Sequence, residues 1–207
     1  MAKDKANNAP SGPQALKEFH TDFSPLFRQI DTLLAQKPRV FVAIDGNSGA
    51  GKTALADQLA CVYDCNVFHM DDFFLPSELK TQARLSEIGG NVDYLRFKNE
   101  VILGLQGNQP FQYRVYNCRT QTFTHKVTVT PKPLNIIEGV YSLHPALIDH
   151  YDLKVFLSVA AVEQSRRILK RNGPEMHRRF LNEWIPLENR YFQALAIADK
   201  CDLVFST

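Results

Sequence analysis

A chain of 207 residues with 44% hydrophobic and 22% charged side chains has ordinary globular composition and the length for one sizeable core. Its formal net charge of +2 gives no general field that would select nucleic acid or an anionic membrane, and no apolar run approaches the ~20 residues needed to span a bilayer. No signal-peptide core is visible, and four scattered cysteines, Cys61, Cys65, Cys118 and Cys201, fit reduced thiols better than a disulfide framework. The expectation is a soluble, intracellular, cytoplasmic protein with neither a nucleic-acid nor a membrane partner.

Met1 to Pro13 is polar, carries Pro and Gly, and shows no apolar period, so a disordered tail is expected ahead of a single domain over 14–207. From Gln14 to Gln36 apolar residues recur at three- and four-residue steps, which makes one helical face, broken near Pro25. Val40 to Ile44 is an apolar run that predicts a buried strand, and further strands are expected at Asn66 to Met70, Leu134 to Ile137, Leu153 to Val159 and Leu203 to Phe205. Helical stretches at Asp93 to Leu105, Glu163 to Asn172 and Glu175 to Ala198 lie between them. Short apolar strands alternating with helices imply an α/β fold, a parallel sheet covered on both faces. Phe111 to Tyr116 and Phe123 to Val129 break the rhythm by alternating around a Cys-Arg-Thr-Gln turn, which predicts an inserted β-hairpin at about 111–130.

The chemistry begins at Gly46-Asn47-Ser48-Gly49-Ala50-Gly51-Lys52-Thr53, which fits G-x-x-x-x-G-K-[ST] directly after a strand. Glycines let successive N–H groups turn inward around a phosphate, Lys52 reaches the β/γ oxygens, and the Thr53 hydroxyl can hold Mg²⁺. Ala54 to Ala60 continues as a helix whose N-terminus faces the phosphates. The implied ligands are a nucleoside triphosphate, ATP if the chain is a kinase, and Mg²⁺.

Three further clusters bear on what is done with the triphosphate. Asp71 and Asp72 stand at the carboxyl end of the second strand, which in open α/β sheets faces the ligand crevice, and a kinase needs a carboxylate there to accept a hydroxyl proton. Asn135-Ile136-Ile137-Glu138-Gly139 is an apolar strand ending in a carboxylate able to hold Mg²⁺ directly or through water. Arg166, Arg167, Lys170, Arg171, Arg178 and Arg179 flank Asn172-Gly173-Pro174, which reads as a hinged helical lid at about 166–180. Arg167 and Arg171 share a face at i, i+4 and are the favoured pair to meet a transferring phosphoryl group.

In combination these residues resemble the uridine kinase and phosphoribulokinase group of P-loop kinases, over about Arg39 to Phe205. The motifs are the P-loop at Gly46 to Thr53, the element Asp71 to Phe74, Asn91-Val92-Asp93, Val115-Tyr116, Ile137-Glu138-Gly139 and the arginine helix Arg166 to Arg171. The resemblance implies a P-loop nucleoside triphosphate hydrolase fold and transfer of a γ-phosphoryl group to a small-molecule hydroxyl. It implies Asp71 as the base and Glu138 with Thr53 at the metal. It also places Asp72, Asp93 and Tyr116 at the acceptor, with Asp93 on ribose hydroxyls and Tyr116 near the base. Uridine kinases usually carry Tyr-Asp-Phe-x-x-His in the hairpin, whereas this chain has Tyr116-Asn117-Cys118-Arg119-Thr120-Gln121 and lacks a Gly-Arg-Asp lid element. The acceptor that the resemblance implies is a nucleoside of the uridine or cytidine kind or a similar ribosyl metabolite, with nicotinamide riboside or pantothenate kept open. Against a guanine-nucleotide switch stands the lack of Asn-Lys-x-Asp and Asp-x-x-Gly sequences. A bare ATPase module is the other alternative, and a homo-oligomer stays open.

Overall fold

The computed structural model describes residues 21–207, so the expected tail and the first turns after Gln14 lie outside the described residues. Helix α1 (Ser24–Gln36) carries Pro25 in its first turn, where the missing N–H has no intrahelical partner to lose, and Leu26 and Ile30 are its buried positions. Among the described residues Pro25 thus marks a helix start, not a break within one. The P-loop segment follows as β1 (Val40–Gly46) and α2 (Lys52–Val62), then β2 (Cys65–His69), which ends in a tight turn over Met70–Phe73.

A turn at Ser77–Leu79 and the short α3 (Gln82–Ser86) lead to α4 (Tyr94–Phe97). This helix passes through a wider π turn at Lys98–Ile102 into α5 (Leu103–Gln106). Next come the hairpin strands β3 (Phe111–Asn117) and β4 (Thr122–Val129), then β5 (Leu134–Glu138) and β6 (Leu153–Ser158). Helix α6 (Ala161–Arg179) continues by a π turn at Phe180–Trp184 into α7 (Ile185–Ala194), and β7 (Leu203–Ser206) closes the described chain.

Five strands form a parallel sheet in the order β2-β5-β1-β6-β7. Alternation along β1 sorts its side chains between two cores. Val40, Val42 and Ile44 pack with Leu26, Leu55, Leu59 and Ile136, whereas Ala43 lies on the other side with Phe68, Phe73, Phe97 and Tyr191. Both faces are buried, which is why these strands read as unbroken apolar runs. The chain leaves β1 for β2 on one side and later returns to β6 on the other, so the crevice at the carboxyl end of β1 is the switch point where ligands bind in such sheets.

The antiparallel β3–β4 hairpin forms a sheet of its own, with a bulge between Val115 and Tyr116. Tyr113 anchors it by packing 5.7 Å from the Phe68 ring and 5.4 Å from Phe73. The two helices expected around Gly173-Pro174 are present, joined by a kink at Gly173 within the span of α6. Gly173 takes φ 77° and ψ 172°, and Pro174 starts the following turn, where it tolerates the lack of an N–H. Among the described residues no helix is long and apolar enough to cross a membrane.

Candidate active site

Gly46 ends β1 at φ +136°, and a Cβ built there would stand 2.0 Å from the Leu157 carbonyl oxygen on neighbouring β6. Only glycine allows the loop to leave the sheet at this point. Gly51 caps α2, so the N-terminus of that helix opens onto the loop. The buried Lys52 folds back, its Nζ donating to the carbonyls of Gly46 (2.8 Å) and Asn47 (3.0 Å). Thr53 is exposed, and its hydroxyl donates to Glu138 Oε1 at 3.0 Å.

Side chains outside the motif fix the loop's shape. Asp45, fully buried, accepts from the N–H of Gly46 (2.7 Å), the N–H of Leu143 (3.0 Å) and the Tyr191 hydroxyl (2.8 Å). Burial outweighs these donors and lifts its pKa to about 6. Glu188, also buried, accepts from Ser48 N–H (3.1 Å) and Ser48 Oγ (2.5 Å). From α6, Gln164 donates to the Ser48 carbonyl at 3.0 Å and Arg167 to the Gly49 carbonyl at 3.1 Å. The Thr207 hydroxyl donates to the Ala50 carbonyl at 2.9 Å.

The acidic wall stands at the ends of β2 and β5, whose neighbouring positions pair His69 with Glu138. His69 Nδ1 lies 2.6 Å from Glu138 Oε1, and that hydrogen bond raises the histidine pKa. Asp71 keeps solvent contact on one side but is otherwise crowded by protein. This desolvation first, and the Glu138 charge second, raise its pKa, against the pull of Lys52, His69 and Arg171. Asp72 is also raised by burial, but its charged neighbours are His69, Asp71, His125 and Arg96, so it faces the hairpin side. Thr53 and Glu138 offer one hydroxyl and one carboxylate. That is the small protein share that Mg²⁺ takes when phosphates and water supply the rest, so the pair fits the ion.

The expected clamp pair separates. Arg167 is engaged with Glu163 (2.7 Å), Gly49 and the Thr207 hydroxyl (3.0 Å), which makes it part of the P-loop wall. Arg171 is exposed, bonds Asn172 Oδ1 at 2.8 Å and lies close enough to Asp71 to lower its pKa. Asp93 caps α4 by accepting from the Arg96 N–H (3.1 Å) and pairs with Arg96 Nε (3.2 Å). Arg96 also donates to the Asp72 carbonyl, which ties Asp93 to the Asp71–Asp72 turn. The buried Tyr116 packs edge-on against Phe123 at 5.4 Å, and its hydroxyl has no hydrogen-bond partner among the described residues. Gln121, at the hairpin tip, accepts from Ser77 Oγ at 3.1 Å. A cavity of about 410 Å³ opens between the hairpin, α4 and the Pro76–Leu79 turn, with Asp93, Arg96, Arg114 and Phe123 in its walls.

Asp45, Gln164, Glu188 and Tyr191 belong to this site although the motif does not include them. Asp45 carried a local signal, a carboxylate ending an apolar strand one residue before the P-loop. The others carry none, because their partners lie 116 to 146 residues away.

No family model matches the chain. Among solved structures, a possible uridine kinase from Bacillus stearothermophilus superimposes with a TM-score of 0.62 at 22% identity, over 87% of this chain and 98% of that one. Phosphoribulokinase from Rhodobacter spheroides gives 0.56 at 13% identity, over 82% and 70%. The fold is that of the P-loop kinases. Among curated proteins the chain is 26% identical over 144 residues to uridine-cytidine kinase C of Dictyostelium discoideum, covering 67% of this chain. It spans about a third (32%) of that relative's length. In both sequence and structure, therefore, the chain resembles the uridine kinase and phosphoribulokinase group.

Proposed function

We propose that this P-loop kinase fold transfers the γ-phosphoryl group of ATP to a hydroxyl of a small metabolite, a nucleoside of the uridine or cytidine kind or a similar ribosyl compound. One observation carries the reading: Asp71 stands free at the mouth of the crevice, within the electrostatic reach of Lys52 and Arg171 and beside the Thr53–Glu138 pair. A carboxylate so placed, with a pKa raised by burial, is suited to take a proton from an attacking hydroxyl. The acceptor oxygen then bonds to the γ-phosphorus, ADP leaves, and the hydroxyl proton passes to Asp71. Arg171 and Lys52 counter the charge that spreads over the transferring group, and the P-loop N–H groups hold the remaining phosphates. Thr53 and Glu138 would hold Mg²⁺, which would supply positive charge to offset that of the triphosphate.

Asp71 is favoured over Asp72 because its charged neighbours are those of the phosphate site, while the Asp72 main chain is committed to Arg96. The kinases among the relatives support a small-molecule acceptor. Gln121 in place of the usual hairpin histidine keeps nicotinamide riboside and pantothenate within the panel.

The test is ADP release with ATP and Mg²⁺ against uridine, cytidine, nicotinamide riboside, other nucleosides, pantothenate and simple sugars. Acceptor-dependent release that falls by about 10²–10⁴ in Asp71→Asn supports the assignment. Hydrolysis independent of every acceptor, with Asp71→Asn unaffected, would point to a nucleotide-driven module instead.

A further inference from the structure

The P-loop is held from both sides of the Gly173 kink. Gln164 and Arg167 reach it from the first half of α6, and Glu188 reaches it from α7, beyond the kink and the π turn. The segment between these anchors, about residues 172–184, is the arm that carries the exposed arginines Arg178 and Arg179. A Cβ at Gly173 would meet nothing within 4 Å, so the kink sits in open space. Glu188 is the point beyond the arm at which α7 meets the loop.

Glu188 is an unusual residue to find there. It is 4% exposed, and burying a carboxylate costs several kcal/mol unless its lone pairs are satisfied (about the penalty for an ion taken from water). Both of its oxygens are spent on one residue, Ser48, one on the backbone N–H and one on the hydroxyl. It lies within the electrostatic reach of Lys52, which supplies the compensating charge, and of Asp71, the proposed base. One turn further along α7, by contrast, Tyr191 packs its ring against Tyr141 at 4.8 Å, away from the loop.

We propose that Glu188 is a positioning residue of the phosphate site: by holding Ser48 through both oxygens it sets the P-loop for nucleotide and links nucleotide occupancy to the seating of the arm formed by residues 172–184. This rests on the kinase reading only in requiring that nucleotide bind at the P-loop. Linkage makes the effect reciprocal. Nucleotide that favours the Ser48–Glu188 arrangement holds α7 down, and a seated α7 favours nucleotide. Glutamine suits the same geometry, since its carbonyl accepts from the Ser48 N–H and its amide donates to the hydroxyl oxygen. Alanine loses both bonds.

The experiment is calorimetric binding of ADP with Mg²⁺ to wild type, Glu188→Ala and Glu188→Gln, with Tm recorded for each and hydrogen exchange followed over 172–184 with and without ADP. Loss of two hydrogen bonds near a charge predicts that Glu188→Ala weakens ADP about tenfold or more, while Glu188→Gln stays within about threefold of wild type. Nucleotide should slow exchange in the arm of wild type and of the Gln variant but not of the Ala variant, a difference that simple loss of packing would not produce. A folded Glu188→Ala that binds ADP like wild type, or a Gln variant as weak as the Ala one, overturns the inference. Should Glu188→Ala fail to fold, Ser48→Ala removes the hydroxyl contact from the other side: about threefold weaker binding or more supports the inference, and unchanged binding overturns it. Wild-type protein that binds neither ADP nor ATP would overturn the kinase reading itself.

Discussion

Replacing Asp45 by Asn tests whether a buried carboxylate with a raised pKa underlies the P-loop. Asp45 accepts three hydrogen bonds, one at Oδ1 and two at Oδ2, and titrates near 6 instead of its ordinary 3.8. A carboxyl whose folded pKa is raised binds its proton more tightly in the folded chain. Its stabilising contribution is therefore complete below pH 3.8 and is lost as the pH rises through 6. Integrating the linkage between pH 5 and pH 7.5 gives a loss of about 1.4 kcal/mol on the alkaline side for this one group. Asn does not titrate, so it lacks that slope. It also turns an N–H towards a backbone N–H, at Gly46 or at Leu143, which costs about 1–3 kcal/mol. The variant should be less stable at pH 5, and its deficit in Tm should shrink by about 3–6 °C at pH 7.5, at roughly 2–4 °C per kcal/mol for a domain of this size. Thermal melts of both proteins at the two pH values measure this. A deficit that is equal at both pH values, or larger at pH 7.5, would show that Asp45 stays charged throughout and would refute the burial argument.

Gly46→Ala should destabilise the fold by about 3 kcal/mol or more, because the new methyl group meets the Leu157 carbonyl at a strained φ; a melt within a degree or two of wild type would contradict it. Arg167→Ala and Arg171→Ala should separate in steady-state kinetics. The first frees the Gly49 carbonyl and raises the KM for ATP about tenfold, and the second leaves KM near wild type while kcat falls on the order of 10²; equal effects on both parameters would collapse the distinction. The acid limb of the pH profile of kcat/KM should lie above the ordinary aspartate range, because Asp71 must lose its proton and its pKa is raised; a limb at or below pH 4 would remove Asp71 from the role of base.

The sheet was legible because β1, β5 and β6 are buried on both faces and so appear as apolar runs in the sequence, and the P-loop was legible because its spacing is set by local backbone geometry. The break at Gly173-Pro174 was legible as well, because Gly173 leaves the helical region and Pro174 starts the helical turn that follows, where its missing N–H would be unpaired. The arginines show where local reading stops. An i, i+4 spacing puts Arg167 and Arg171 on one side of a helix, yet what each meets depends on a loop more than a hundred residues earlier. Arg167, one turn nearer the loop, spends its donors there, and Arg171 is left towards Asp71.

The same reasoning explains why the residues hardest to read are those that shape the loop. A P-loop must keep its N–H groups free for phosphate, so its carbonyls and flanking N–H groups have to be held from behind by groups that do not compete for the ligand. Those groups come from whatever elements the fold brings up: Gln164 and Arg167 from α6, Glu188 and, through Asp45, Tyr191 from α7, and Thr207 after β7. The motif reports the face turned towards nucleotide. The face turned into the protein is specified by side chains that no local pattern links to it, and substitutions there should change nucleotide affinity without touching any residue that a motif search would mark.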